Sequence, residues 1–191
     1  MTNQDDNRHF LFLCSSTRRN GNAELLARHA CQSFPRRWEQ YWLHHLDLPL
    51  PLFVDIRHAG EDGRYDPPTG NLRTLLDATL AATDLVFVAP VYWYGLPTAA
   101  KLYLDHWTGW LRAPGLEFRA RMAAKRLWAV TIVSDPDRAA ADPLLGTLRL
   151  TADYMKMVWA GSVGGYGNRP GDVMNDAASV AAAERLFLPP T

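Results

Sequence analysis

The segment SSTRRNGN at residues 15–22 combines hydroxyl groups, arginines and a glycine, the residue types that bind a phosphate monoester. It follows an apolar run at residues 8–14 and precedes a segment whose apolar residues recur at helical spacing. A loop in this position lies at the start of a helix, where unpaired backbone N–H groups and the helix dipole favour an anion. We expect either a phosphate site here or a solvated loop in which Asn20 or Asn22 caps the helix.

Three consecutive aromatic residues, Tyr92, Trp93 and Tyr94, stand between Pro90 and Pro97 directly after another apolar run. Large aromatic side chains are costly to expose, and together they suit a flat apolar ring. Backbone groups of a rigid turn can bond the polar edge of such a ring. The pattern therefore favours a ring-binding loop, with surface padding beneath a loop as the alternative.

The spacing of residues excludes several other kinds of site. The sequence has no G-x-x-x-x-G-K-[ST], no G-x-G-x-x-G after the first apolar run and no G-x-S-x-G. A response-regulator receiver needs an acid at the end of the third strand, where Ala89 and Pro90 stand. The six histidines show no metal-ligand spacing, and the adjacent His44 and His45 would point to opposite faces of a strand. We expect structural roles for the histidines and no metal site.

Apolar runs alternate with amphipathic segments along the chain. The runs predict strands at residues 8–14, 38–46, 84–89, 126–133 and 159–163, and the amphipathic segments predict helices from residue 22 to before Pro35 and at 71–82, 98–111, 143–157 and 179–187. This alternation is typical of βαβ units around a parallel sheet. We predict one α/β domain over residues 1–191, a flavodoxin-like three-layer sandwich whose five-stranded parallel sheet carries helices on both faces. Ligands of such sheets bind beyond the carboxyl ends of the strands.

The composition disfavours large charged partners. The 191 residues carry 20 basic and 20 acidic side chains, so no net field attracts nucleic acid or an anionic membrane. The first nine residues are polar and include two acids, unlike a signal peptide, and no apolar stretch approaches the ~20 residues of a membrane span. We expect a cytoplasmic protein in which Cys14 and Cys31 are reduced.

Two segments, SSTRRNGNAELLARHA from residue 15 and PVYWYGLPTAAKLYLDHW from residue 90, resemble the phosphate loop and second flavin loop of the NAD(P)H-dependent FMN reductase and iron-sulfur flavoprotein group. A third, GGYGNRPGDVMND at 164–176, is similar to that family's closing glycine-rich segment. The resemblance implies an oxidoreductase with FMN that takes hydride from NAD(P)H and passes electrons to a flavin, a quinone or a similar flat acceptor, as a homodimer or homotetramer. It places Ser16, Arg18, Asn20, Gly21, Asn22 and Ala23 around the FMN phosphate, Pro90, Val91, Tyr92, Trp93, Tyr94 and Gly95 along the isoalloxazine ring, and Ser134 in the wall after the fourth strand.

The chain departs from that family's pattern at three places. Ser15 stands where the family usually has glycine, Ala23 stands where a hydroxyl would bond the phosphate, and residues 134–138 replace a glycine-rich loop. The absence of a cysteine cluster excludes an iron-sulfur centre. No side chain is implied as catalytic, because the flavin carries the chemistry and the protein supplies orientation and electrostatics. Arg119 or Arg121 is the candidate for the dinucleotide phosphates.

Three other functions stay open. An electron-carrier flavodoxin shares the fold, although carriers usually present an acidic face and this chain is neutral. A low-molecular-weight cysteine phosphatase also has a phosphate loop after its first strand and an Asp-Pro acid such as residues 135–136, but its C-x5-R motif needs an arginine where Asn20 stands. The third alternative is a non-catalytic module that binds FMN or a protein.

Overall fold

The computed structural model describes residues 7–58 and 63–188 of the chain. Residues 1–6, most of the amino-terminal segment considered above, lie outside the described residues, as do 59–62 and 189–191. No helix in the described ranges is long and apolar enough to cross a membrane. The strands are β1 (His9–Cys14), β2 (Glu39–His44), β3 (Asp84–Pro90), β4 (Arg126–Val133) and β5 (Val158–Tyr166). The α-helices are α1 (Asn22–Ala30), α2 (Gly70–Ala81), α3 (Thr98–Trp110), α4 (Phe118–Met122), α5 (Asp142–Met155) and α6 (Ala177–Ala183), and short 3-10 turns occupy His45–Asp47, Arg138–Ala141 and Asp172–Asn175.

The five strands form one parallel sheet in the order β2-β1-β3-β4-β5. This arrangement confirms the predicted α/β sandwich. The chain moves from β1 to the edge strand β2 and then returns to β3 on the other side of β1. The carboxyl ends of β1 and β3 therefore flank the place where the strand order reverses, which is where open parallel sheets bind ligands.

Alternate side chains of the strands enter two separate cores, one on each face of the sheet. Helices α2, α3, α4 and α5 cover one face, on which Leu11, Leu85 and Leu127 are buried. Helix α1 covers the other face together with Ala183 of α6 and the following Phe187, above the strand residues Phe12 and Val130. Because each strand is covered on both sides, the sequence shows continuous apolar runs rather than alternation.

The carboxyl-terminal third contains the largest differences from the prediction. Strand β5 continues to Tyr166, beyond the predicted end at residue 163, because Gly164 and Gly165 stay paired with β4 although glycine weakens a strand. Helix α4 was not predicted, since its five residues are too few to show a period; buried Phe118 and Met122 anchor it. The last helix covers Ala177–Ala183 rather than 179–187.

Strand β4 has the predicted bounds, and the remaining boundaries differ from the prediction by at most four residues. Strand β2 gives way to a 3-10 turn at His45, so the prediction that the strand continues to residue 46 was wrong. Helix α5 ends at Met155 rather than 157, because Lys156 adopts a left-handed conformation with φ of 60°. The first helix ends at Ala30, where the sequence pattern continued to residue 33.

A buried ion pair closes the amino end of the sheet, opposite to the predicted site. The carboxylate of Asp84 is fully buried and accepts hydrogen bonds from the Arg8 guanidinium, from Trp128 Nε1 at 2.8 Å and from Thr83 Oγ1 at 2.7 Å. Arg8 also lies 4.4 Å from the ring centre of Phe10. Burial alone would raise the pKa of Asp84, but these hydrogen bonds and the charge of Arg8 hold that pKa below its ordinary value.

Candidate functional site

A cleft of about 210 Å³ opens at the carboxyl ends of β1, β3, β4 and β5. Of the residues implied for FMN, it brings together Ser16, Arg18, Gly21, Asn22, Ala23, Pro90, Val91, Tyr92 and Ser134. Asn20, Trp93, Tyr94 and Gly95 are not part of its lining, and Ile132, Gly167 and Asn168 are additional members. The glycine-rich segment at 164–176 was the signal for Gly167 and Asn168, whereas Ile132 has no signal beyond its place near a strand end.

The phosphate loop connects β1 to α1 with a fixed backbone. Ser15 extends β1 by donating its N–H to the Val88 carbonyl at 2.9 Å, and Ser16 Oγ accepts the N–H of Arg18 at 3.0 Å. The first hydrogen bond of α1 runs from the Leu25 N–H to the Gly21 carbonyl. The N–H groups of residues 22–24 therefore have no acceptor within the described chain, and they face the position where an anion would sit.

The two arginines of this loop differ in their contacts. Arg19 forms an ion pair with Asp47 of the 45–47 turn. Arg18 forms no ion pair with any residue in the described ranges, and it lines the cleft. The resemblance implied Arg18 and not its neighbour, and in the structure Arg18 is the cation of this loop that is available to a phosphate.

Asn20 shapes the loop from outside the cleft. Its backbone is left-handed, with φ of 52°, a conformation that asparagine tolerates better than most residues. Its N–H donates to Glu24 Oε2 at 3.0 Å, and Glu24 also accepts Arg28 Nη2 at 2.7 Å. The buried Glu24 carboxylate therefore fixes the backbone of the turn at Asn20. Asn20 contributes to the shape of the loop and does not line the cleft.

Asn22 links α1 to the loop after β5. Its Nδ2 donates to the Arg169 carbonyl at 2.9 Å, and its Oδ1 accepts the Gly171 N–H at 2.8 Å. Gly167 packs so closely that a Cβ there would lie 2.6 Å from Asn22 Nδ2. The side chain of Asn22 is therefore occupied by the protein, and its backbone N–H is what it offers to the cleft.

The aromatic loop after β3 forms a two-residue turn. Tyr92 and Gly95 exchange backbone hydrogen bonds of 3.1 and 3.0 Å around Trp93 and Tyr94, whose φ values are 49° and 62°. Two left-handed residues in succession define a type I′ turn, which is usually built from Asn-Gly, so this Trp-Tyr version is strained by about 1–2 kcal/mol per residue. Trp93 is 96% exposed, while Tyr92 lines the cleft and its hydroxyl lies 3.4 Å from Thr17 Oγ1.

The loop after β4 is held by side chains instead of glycines. Asp137 caps the 138–141 turn by accepting the N–H of Ala139 at 2.9 Å. Arg138 donates to Asp176 Oδ2 and to Ser179 Oγ, both at 2.6 Å, and so ties this loop to the carboxyl-terminal segment. With the loop fixed in this way, Ser134 lines the cleft, and its contact with FMN stays a prediction.

The arginines suggested for dinucleotide phosphates lie elsewhere. Arg119 stacks on Tyr154, 4.5 Å from its ring centre and close to the end of α5. Arg121 lies beside the α2 carboxyl-terminal region, in a concavity shared with Leu80 and Ala81. Neither arginine lines the cleft, and their suggested role at the dinucleotide phosphates stays a prediction.

His45 is buried behind the phosphate loop. Its Nδ1 lies 3.1 Å from Ser15 Oγ, which donates to the Leu13 carbonyl at 3.2 Å, and its Nε2 has no partner in the described residues. Burial, with a smaller contribution from neighbouring His44, lowers the pKa of His45 from its ordinary 6.5 to about 4. The ring is therefore neutral at physiological pH.

This pKa predicts an acid-sensitive stability. Between pH 6.5 and 4 the unfolded chain protonates His45 while the folded chain does not, so the free energy of unfolding falls as the pH falls. We expect His45 to contribute a loss of about 2–3 kcal/mol between pH 7 and pH 4.5. Urea denaturation of the wild type and of His45→Asn at both pH values measures it, since the variant lacks the titrating ring. Equal acid losses in the two proteins would contradict the assignment.

Three potential metal ligands meet beneath the loop, contrary to the expectation from sequence spacing. Cys14, Glu24 and His44 place ligand atoms within 4.8 Å of one another. The guanidinium of Arg28 already neutralises Glu24 at 2.7 Å, and burial raises the pKa of the Cys14 thiol to about 12. These charges favour a salt bridge with a neutral thiol over a metal centre. His44 contacts α1 and His45 contacts Tyr103 of α3, so the two histidines do face opposite sides of the sheet.

Larger concavities exist away from the cleft. One of about 610 Å³ lies between α2 and the amino ends of β1 and β2, next to His9, Glu39 and Tyr41. It contains neither a helix amino terminus nor an unpaired arginine. The smaller cleft is the better candidate site, because the anion-binding groups and the aromatic loop meet there.

Comparison with known proteins identifies the fold and the related activities. A family model described as "Flavodoxin-like fold" matches residues 9–187. A Bacillus subtilis (strain 168) protein, YwqN, provisionally named as an NAD(P)H-dependent FMN-containing oxidoreductase, is 32% identical over 172 residues, which cover 90% of this chain and 92% of that protein. The FMN-dependent NADH:quinone oxidoreductase of Kineococcus radiotolerans is 37% identical over 90 residues, 42% of this chain and 41% of that protein.

A solved structure gives a similar result. The Trp repressor binding protein from Bacillus subtilis superposes with a TM-score of 0.74 at 25% identity, covering 95% of this chain and 99% of the other. The superposition therefore covers nearly the whole length of both chains.

Proposed function

We propose, from the premise that this chain belongs to the family with the flavodoxin-like fold, that the cleft binds FMN with the phosphate at α1 and the ring beside the aromatic turn. The protein is an FMN-dependent oxidoreductase that takes hydride from NAD(P)H and passes electrons to a flavin, a quinone or a similar flat acceptor. The observation that carries the site is the unpaired Arg18 beside the free N–H groups of α1, in the same cleft as Tyr92.

The phosphate end of the cleft suits a dianion. Arg18 supplies the charge, Ser16 supplies a hydroxyl, and the backbone N–H groups of residues 22–24 supply donors that need no reorientation. Ala23 contributes only its N–H, at the position where the resemblance implies a hydroxyl. Gly21 adopts extended backbone and brings the loop close to the helix start.

The ring end of the cleft is formed by backbone as much as by side chains. Pro90, Val91 and Tyr92 line it after β3, and Ser134 lines it after the neighbouring strand β4. The N–H groups of Trp93 and Tyr94 have no acceptor in the described chain, so the strained turn presents two donors that could bond the polar edge of a flat ring. Trp93 and Tyr94 are placed by this turn at the rim of the cleft instead of its wall.

The protein's part in the reaction is binding and orientation. Bound FMN supplies a ring that accepts hydride and returns electrons to the acceptor. The residues that line the cleft would hold and orient that ring, and the exposed side chains of Trp93 and Tyr94 at the rim provide an apolar surface for a second flat molecule. No side chain of the cleft needs to transfer a proton for the hydride step.

The cysteine phosphatase alternative is excluded by the position of Cys14. Its backbone is paired in the sheet, its side chain is buried, and burial raises the pKa of the thiol to about 12. A nucleophilic cysteine needs the opposite, an accessible thiolate of low pKa.

Several finer properties belong to the proposal. We propose one domain spanning residues 1–191, a cytoplasmic location consistent with the two buried free thiols, and NADH or NADPH as the hydride donor. A homodimer or homotetramer is supported by exposed apolar side chains on either side of α3, namely Leu52, Val54, Leu150 and Tyr154. A protein that sediments as a monomer and has full reductase activity would contradict the proposed oligomer.

Anaerobic stopped-flow spectroscopy tests the activity. The protein loaded with FMN is mixed with NADH or NADPH, and the flavin absorbance is followed. We expect bleaching much faster than that of free FMN with at least one dinucleotide. Bleaching no faster than that of free FMN with both would leave an electron carrier or a binding module instead of an enzyme.

Arg18→Ala tests the phosphate assignment. Loss of a charge-assisted contact to a phosphate costs about 1.5–3 kcal/mol, so FMN affinity should fall about 10- to 150-fold while riboflavin affinity stays unchanged. Isothermal titration with both ligands measures the two affinities. Arg19→Ala is the matched control, because Arg19 is paired with Asp47 and should change FMN affinity little. Equal losses for FMN and riboflavin in Arg18→Ala would contradict the phosphate position.

A further inference from the structure

The segment 44–47 at the carboxyl end of β2 makes three contacts with the phosphate loop and its helix. His44 Nε2 lies 3.5 Å from Glu24 Oε1 in the first turn of α1. His45 Nδ1 lies 3.1 Å from Ser15 Oγ, and Asp47 forms an ion pair with Arg19. The same short segment therefore contacts the start of the loop at Ser15, its middle at Arg19, and the first turn of α1 at Glu24. We call residues 44–47 the brace.

We propose that His45, acting through Ser15, is a positioning residue for the FMN phosphate and that the brace sets the place of the phosphate loop. The inference rests on the proposed function, since it assumes that the phosphate lies at α1. It concerns residues that touch no part of the cleft: neither Ser15 nor His45 belongs to the cleft lining.

The hydrogen bonds around Ser15 show how His45 holds the start of the phosphate loop. The single hydroxyl hydrogen donates to the Leu13 carbonyl, so the neutral imidazole donates its Nδ1 hydrogen to Ser15 Oγ. Both side chains are at least 95% buried. In such surroundings a lost partner is costly, and the pair resists displacement. Ser15 immediately precedes Ser16, the first loop residue in the cleft, so its position fixes where the loop leaves β1.

Ser15 supplies a buried hydroxyl at the start of the phosphate loop, and His45 of the brace supplies the hydrogen-bond partner of that hydroxyl. Asp47 acts in the same direction, because it holds Arg19 away from the cleft and leaves Arg18 as the cation that meets the phosphate.

The test compares FMN with riboflavin, which lacks only the phosphate. We expect His45→Leu to weaken FMN binding about tenfold and to leave riboflavin binding unchanged, since one buried hydrogen bond is lost behind the phosphate loop. Ser15→Ala should have the same effect, and the double variant should lose no more than either one. His45→Asn should restore most of the affinity, because its amide can donate where Nδ1 does.

Three controls separate the outcomes. His9→Leu removes a histidine at the opposite end of the sheet, paired with Glu39 at 2.9 Å, and should leave both affinities unchanged. Thermal denaturation of each variant shows that it is folded. If the ratio of FMN affinity to riboflavin affinity is unchanged in His45→Leu, the positioning role is overturned. It is also overturned if His45→Asn loses as much FMN affinity as His45→Leu. The proposed function stands in both cases. A wild type that binds FMN no more tightly than riboflavin overturns the phosphate assignment itself, and the positioning role with it.

Discussion

Asp84→Ala should lower the free energy of unfolding by about 3–5 kcal/mol, because it leaves the buried Arg8 guanidinium without its carboxylate. Trp128 Nε1 loses its acceptor at the same time. The pKa of Asp84 lies below its ordinary value, so this contribution is present at neutral pH and is lost on acidification, when the folded carboxylate becomes protonated. Urea denaturation at pH 7, with cofactor absent, measures the effect.

Two further variants make the result specific. Asp77→Ala removes the carboxylate of an exposed i,i+4 pair with Arg73 on α2 and should cost less than 1 kcal/mol. Replacing both Arg8 and Asp84 with leucine should cost less than Asp84→Ala alone, since no unpaired buried charge remains. A loss in Asp84→Ala as small as that in Asp77→Ala would show that the pair does not stabilise the fold.

Asn22→Ala should weaken both the fold and FMN binding. The side chain holds the Arg169 carbonyl and the Gly171 N–H, so its removal costs about 2 kcal/mol of stability for two partly buried hydrogen bonds. The loop that carries Gly167 and Asn168 into the cleft is then released. We expect FMN affinity to fall at least tenfold, measured by titration of flavin absorbance.

Gly167→Ala should also lower the stability of the fold, by adding a group that does not fit instead of removing hydrogen bonds. Its Cβ would lie 2.6 Å from Asn22 Nδ2 and 3.0 Å from the Val173 N atom, and such overpacking typically costs 1–3 kcal/mol. In the double variant with Asn22→Ala the closest clash disappears, so the combined loss of stability should be smaller than the sum. Gly146→Ala in α5 is the matched control: its Cβ meets nothing within 4 Å, and it should stabilise the helix by about 0.5–1 kcal/mol. Strictly additive losses would contradict the contact between residues 22 and 167.

The sequence predicted the frame of the site because long buried strands and amphipathic helices leave a strong periodic signal. The loop at residues 15–22 and the aromatic turn were found for the same reason, since each follows a recognisable strand. The five residues of α4 and the glycine-containing end of β5 left no such signal. Their formation depends on tertiary partners, such as the pairing of Gly165 with Ile132.

The roles of individual side chains could not be predicted from local pattern. Residue type does not distinguish Arg18 from Arg19; the resemblance implied Arg18, and the ion pair of Arg19 with the distant Asp47 gives the physical reason. Asn22 was implied for the phosphate, but its side chain bonds a loop about 150 residues further along the chain. His45 gave no metal or catalytic spacing, and its contact with Ser15 exists because β2 lies beside β1 in the sheet. Each of these depends on which strands are neighbours, which local spacing does not encode.

Trp93, at the tip of the aromatic turn, is an intrinsic fluorescent probe of the cleft mouth. Of the seven tryptophans, Trp93 is 96% exposed and the other six are buried or half-buried. Its indole emits from a watery environment at longer wavelength than the others and is reached first by a collisional quencher such as acrylamide. Any molecule that covers the rim, whether a flat acceptor, a dinucleotide or a second copy of the chain, will shield this emission, so occupancy of the cleft mouth can be followed without a label.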